Sequence, residues 1–161
     1  MTDPTSSADL RVVVFRVGPT LFGLDCRAVQ EVLPPLWITP LADAPGFIEG
    51  VVEVRGEVVP VVDLRPRLGG AADGFHRRTR LLLLRVGGGT VALIVDQVLD
   101  VKAVASEWLR PCPVSGPRRM VRSWIDVPGD AAIQLLEFDQ LLSDAEADHL
   151  AIGYSRVAID R

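Results

Sequence analysis

The chain of 161 residues is long enough to bury a core without a metal or disulfide staple, and it fits one compact domain or two small lobes. Its net charge of −4 opposes general attraction to nucleic acid or anionic lipid, and it lacks the run of about 18 apolar residues that would span a bilayer. The hydrophobic share of 48% comes from valine and leucine rather than aromatics, a composition that favours strands.

The start, MTDPTSSAD, is polar and has no basic-then-apolar secretion layout, so residues 1–9 are expected to be a disordered tail on a cytoplasmic protein without direct membrane insertion. LRVVVFRVG predicts a strand ending at Gly18-Pro19, and TLFGLD resumes the extended pattern. Asp25 is placed to cap a short helix through CRAVQEVL, where Ala28, Val29, Val32 and Leu33 recur at helical spacing until Pro34-Pro35. WITPLADAPGF carries several breakers and reads as an irregular connection. In IEGVVEVRGEVVPVVDL two valine-rich strands flank Arg55-Gly56, which predicts a hairpin, with Glu53 turned away from the core and Asp63 at the strand exit. Pro60 has no N–H to donate and predicts an edge strand or a bulge.

After the loop GGAADGFHRR, the segment TRLLLLRVGGGTVALIVDQVLDVKAV repeats the opening rhythm. A shift of 69 positions lays Arg16-Val17-Gly18 on Arg85-Val86-Gly87, Leu24 on Leu93 and Val29 on Val98. The echo predicts two related β-lobes, each with a strand, turn, strand and short helix. PCPVSGPRR reads as a loop, DVPGDAAIQLLEF as a turn feeding a strand, and Ser143 with Glu146 as a capping box opening a C-terminal helix.

Nothing in the pattern frames a catalyst. His76 and His149 have no GxSxG elbow or HExxH partner, and Gly87-Gly88-Gly89 precedes a strand rather than the helix N-terminus that would hold a phosphate. Cys26 and Cys112 match no CxxC spacing and are expected to be buried thiols. Asp25, Asp96 and Asp100 read as capping residues. The basic stretches HRRTR and PRRMVR lack interleaved aromatics that would stack bases. The expectation is therefore a protein with no catalytic residues, no metal and no cofactor.

The segment PGFIEGVVEVRGEVVPVVDLRPRLG resembles the signature of the CheW family of chemotaxis coupling proteins, and FGLDCRAVQEVL, VALIVDQVLDV, LRPCP and IQLLEFDQLLS fall in the family's order around it. The resemblance implies a mainly β fold of two five-stranded SH3-like barrels, with a short helix in each half and a C-terminal helix. It places a CheW-like domain over residues 10–152, divided near 10–80 and 81–150 with boundary strands open to exchange, and a tail over 153–161. It further implies an adaptor, not an enzyme, that joins the cytoplasmic tip of methyl-accepting chemoreceptors to the regulatory domain of a CheA-type histidine kinase, in rings or arrays at the membrane.

By that resemblance, the receptor groove is lined by Val29, Glu31, Gly50, Arg55, Leu81, Val98 and Val101, with Glu31 and Arg55 fixing orientation by charge, and the kinase is met by Arg110 and Val114. Arg55 has a second reading, as a buried structural arginine that satisfies loop carbonyls. Three departures from the family stand out: Glu53 replaces its usual Asn, Ser115 its usual aromatic, and RRMVRSWIDVPGD its glycine-rich segment. The competing readings are a kinase-regulatory-type domain or signalling scaffold with another partner, and a nucleic-acid-binding small β-barrel.

Overall fold

Runs such as VVVF, LLLL and VALIV are too continuous for a strand with one wet face, and the computed structural model buries both faces of the strands that carry them. The structure describes residues 10–86, 89–113 and 120–138. Among these, the strands in chain order are β1 (Leu10–Val17), β2 (Thr20–Asp25), β3 (Val29–Leu33), β4 (Ile48–Val54), β5 (Glu57–Val62), β6 (Arg80–Val86), β7 (Gly89–Val95), β8 (Gln97–Val104), β9 (Leu109–Pro111), β10 (Val121–Ile125) and β11 (Ile133–Leu136). They form a six-stranded sheet in the order β8-β1-β2-β11-β10-β9 and a five-stranded sheet in the order β3-β6-β7-β5-β4.

Side chains alternate between two cores along each central strand. Val13, Phe15 and Val17 of β1, Leu82 and Leu84 of β6, and Leu93 and Val95 of β7 meet in one central cluster between the sheets. Their neighbours turn the other way, Val12 and Val14 into a cluster of the six-stranded sheet, and Leu81, Leu83, Ala92 and Ile94 into one of the five-stranded sheet. Each fully buried valine or leucine contributes about 1.5–3 kcal/mol, so three contiguous cores suit a chain of this size.

The two sheets share one plan. In each, a central hairpin (β1–β2 or β6–β7) adds a parallel neighbour (β11 beside β2, β5 beside β7), which then carries an antiparallel strand. On the other flank the third strand crosses over: β3 pairs with β6, and β8 pairs with β1. Sheet membership therefore changes after Asp25 and again after Val95.

Several expectations need correction. One sheet has six strands because β9 adds to its edge. The short helix expected in CRAVQEVL is a single 3-10 turn, Cys26–Ala28, whose N-cap Asp25 accepts the Arg27 N–H, followed at once by strand β3. Its counterpart in the second half passes from the end of β7 through Asp96 into strand β8 with no helical turn. Both cysteines are half-buried, not buried. The N-terminal tail, the helix predicted after Ser143, the C-terminal tail, His149, Val114 and Ser115 lie outside the described residues.

The β4–β5 hairpin closes through Arg55 and Gly56 with φ of 49° and 81°, and Val54 faces Glu57. Positive φ at both central residues is the turn whose twist matches the strands. Pro60 lies on an internal strand, not an edge. It faces Val51, whose N–H and C=O are both spent on Thr39 at 2.9 and 2.8 Å, so the β4 ladder loses no bond, and pairing with β7 begins only at Val61. Thr39 also closes the sheet: the chain leaving β3 reaches the opposite edge strand β4, covering an open ladder. Its carbonyl lies so close over Gly50 that a Cβ there would meet it at 2.3 Å, and φ is +152°.

Candidate functional site

The crossed strands β3 and β8 are the free edges of their sheets, and both border the central core, on which Val29 and Val98 pack. Each strand carries a one-residue bulge. In β8 the register steps from Phe15↔Val98 to Val14↔Asp100, leaving Leu99 unpaired, and in β3 it steps from Val29↔Leu84 to Glu31↔Leu83, leaving Gln30 unpaired. An unbroken strand would send residues three apart to opposite faces; the bulge returns them to one face. Val98 and Val101 thus stand opposite Phe15 and Val13, and Val29 and Val32 opposite Leu84 and Leu82, all on the central-core side. Val101 is 52% exposed and Val32 40% exposed. The seam therefore offers two matched valine pairs, each anchored at one end and open at the other.

Val32 is absent from the residues implied by the family resemblance, yet it is the counterpart of Val101 under the same 69-residue shift that relates Val29 to Val98. Two of the expected residues offer no side chain to a partner: Leu81 is fully buried in the five-stranded sheet's own core, and Gly50 is buried beneath Thr39. Glu31 and Arg55 do meet, as a two-pronged ion pair that joins edge strand β3 to the tip of the β4–β5 hairpin. Arg55 is 70% exposed, which rules out the buried structural reading. The guanidinium hydrogen bond holds the Glu31 carboxyl below the usual carboxylate range, and the carboxylate in turn raises Arg55.

The buried structural arginine is Arg65. Its side chain is 2% exposed and binds Asp63 through Nε at 3.0 Å and Nη2 at 2.9 Å, while Nη1 reaches Asp96 at 3.2 Å and the Gly74 carbonyl at 3.0 Å. Burial works against its charge, but hydrogen bonds to Asp63 and then Asp96 outweigh that and hold its pKa above the ordinary value. Asp96 also accepts the Gly18 N–H at 2.7 Å and gives its own N–H to the Arg16 carbonyl at 3.0 Å. Asp63, at the exit of β5, is thereby tied to the β1–β2 turn, so one charged latch fixes the two sheets against each other. Asp96 is the residue at which the chain passes from one sheet to the other.

At the far edge of the six-stranded sheet, Arg110 on β9 stands opposite Trp124 on β10 and pairs with Asp126 at 3.2 Å. Both Arg110 and Trp124 are exposed. A cavity of about 330 Å³ opens elsewhere, lined by Asp25, Arg27, Arg122 and Glu137, but these carboxylates already pair with these arginines. His76 is exposed beside Asp73 at 3.2 Å, an arrangement that lowers the Asp73 pKa. Among the described residues no group of three or more His, Cys, Asp or Glu is placed to hold a metal, and no helix is long and apolar enough to cross a membrane.

Comparison with known proteins gives a consistent result. The family profile described as the CheW-like domain matches residues 11–146. The chain is 29% identical over 136 residues to the chemotaxis protein CheW of Klebsiella aerogenes, covering 83% of this chain and 82% of that one. It is 34% identical over 134 residues to protein FrzA of Myxococcus xanthus, covering 81% and 84% respectively. Among solved structures, the scaffolding protein TtCheW from Thermoanaerobacter tengcongensis superposes with a TM-score of 0.72 at 30% identity, covering 80% of this chain and 88% of that one.

Proposed function

Because the chain belongs to the CheW-like domain family, we propose that it is a non-enzymatic cytoplasmic adaptor of chemosensory signalling, coupling the cytoplasmic tip of a transmembrane chemoreceptor to the regulatory domain of a CheA-type histidine kinase. The observation that carries the receptor half is the pair of bulged edge strands. Val29 and Val32 on β3 and Val98 and Val101 on β8 each set an apolar pair at the border of the same central core, and together they suit the apolar face of a helical hairpin. The kinase half rests on the opposite edge of the six-stranded sheet, where Arg110 and Trp124 combine an arginine with an aromatic, the residue types enriched at binding hot spots. Val114 belongs to the same proposed contact.

Two separate faces allow both partners to bind at once, which is what assembly into rings or arrays requires. In this reading the output is geometry: no bond is made or broken, and no cofactor is needed. The test is calorimetry with a purified receptor-tip fragment and a purified kinase regulatory domain. Binding of each in the presence of the other is expected; exclusion of one by the other would overturn the two-face reading.

A further inference from the structure

The two rims of the seam are equivalent in backbone but not in charge. Glu31 and Asp100 are related by the same 69-residue shift, and each lies two positions after the valine that anchors its strand. Glu31 has both carboxylate oxygens engaged by Arg55. Asp100 has no such partner: among the described residues it makes no ion pair, and Lys102, two residues along the same strand, is directed to Asp130 at 3.9 Å.

The position of the Asp100 carboxylate follows from the ladder. Arg16 gives its carbonyl to the β8 side, at Asp96. Alternation along β1 then turns the backbone of Val13 toward β2, so the N–H and C=O of its partner Val101 point out from the open edge. Asp100 Oδ1 accepts that Val101 N–H at 2.8 Å. Asp100 stands opposite Val14 and so projects from the face away from the central core, but this hydrogen bond curls its carboxylate back to the edge beside the exposed Val101, where a long basic side chain reaching over the rim of the valine strip would meet it.

We infer that Asp100 is the charge-reading residue of this groove, pairing with a lysine or arginine on the helical hairpin that occupies the strip, while Glu31 and Arg55 neutralise each other on the opposite rim. The inference rests on the receptor reading above and sharpens it: the occupant carries a basic residue on one helix only, which gives a nearly two-fold groove a single polarity. A rim charge of this kind acts through association rate and register more than through raw affinity, and its effect is screened by salt.

The test is the affinity of a receptor-tip fragment for wild-type protein, Asp100→Asn and Asp100→Lys at low and high salt, with Glu107→Lys as an exposed change of the same sign beyond the end of β8. Asp100→Asn retains an oxygen for the Val101 N–H, and thermal melts of each variant separate folding from binding. Asp100→Lys is expected to weaken binding about tenfold at low salt, with the deficit shrinking at high salt. Asp100→Asn should flatten the salt dependence, and Glu107→Lys should change little. A fragment whose basic residue is changed to Glu should bind Asp100→Lys better than wild type. Wild-type binding with both Asp100 variants unaffected at either salt would overturn this inference alone. No wild-type binding at all would overturn the receptor reading, and this inference with it.

Discussion

Two arginines ten residues apart in sequence do opposite work. Arg65 is buried, hydrogen-bonded to the Asp63 and Asp96 carboxylates and the Gly74 carbonyl with the Asp73 carboxylate at 3.8 Å, and joins the sheets. Arg55 is exposed at a hairpin tip, in left-handed backbone that disfavours a side chain, and bonds one partly exposed glutamate. A buried pair is dangerous to break because the surviving charge has no water to turn to, whereas a surface pair contributes little because water competes for both ends. The first region is therefore architecture, and the second is surface on which partners can act.

The largest expected effect lies in the buried region. Arg65→Met leaves Asp63 enclosed without a counter-charge and should cost about 3–5 kcal/mol in urea unfolding. Gly50→Ala comes next: a Cβ against the Thr39 carbonyl at a φ open only to glycine should cost about 2 kcal/mol or more, and amide exchange should show the Thr39–Val51 bridge opening first. On the exposed side the order reverses, with function moving and stability staying. Val32→Asp and Val101→Asp should each shift stability by only about 0.5 kcal/mol, yet weaken receptor-tip binding at least about tenfold while leaving kinase-domain binding unchanged. Equal loss from a kinase titration would erase the distinction between the faces.

The smallest effects concern Arg55 itself. Arg55→Gly removes the ion pair but relieves the left-handed backbone, so the two effects oppose each other and the melting temperature should hardly move. The same variant should return the Glu31 carboxyl to its ordinary range in an NMR titration. The sign follows from the lowered pKa: any stabilisation by Glu31 is present above its unfolded-state value and disappears as pH falls through the depressed folded-state value. A Glu31 titration unchanged by Arg55→Gly would show that the pair does not persist in solution.

The contrast also separates what was legible in the sequence from what was not. Strand content, the Arg55-Gly56 hairpin and the repeated lobe plan were readable from valine-rich runs, turn residues and the internal shift. The helix predicted over CRAVQEVL shrinks to the 3-10 turn Cys26–Ala28, and its second-half counterpart is strand, for a definite reason: a strand bulge places residues three apart on one face, which imitates helical spacing. Val29 with Val32 and Val98 with Val101 are the consequence. Val32 was within reach of the sequence, since the shift that pairs Val29 with Val98 also pairs it with Val101. The role of Arg65 was not, because its second carboxylate, Asp96, is distant in sequence and arrives only when β7 hands the chain to β8. Leu81 was assigned to the groove by resemblance, but alternation along LLLL turns it into the five-stranded sheet's own core.

Coupling of this kind requires one molecule with separate faces for two partners. Amide chemical-shift mapping of the full chain tests it most directly, with the receptor-tip fragment and the kinase regulatory domain added in turn. The receptor fragment is expected to shift Val29, Val32, Val98, Asp100 and Val101 and the kinase domain Arg110 and Trp124, with each set persisting when the other partner is present. Overlapping sets, or a seam that stays silent to the receptor fragment, would contradict it.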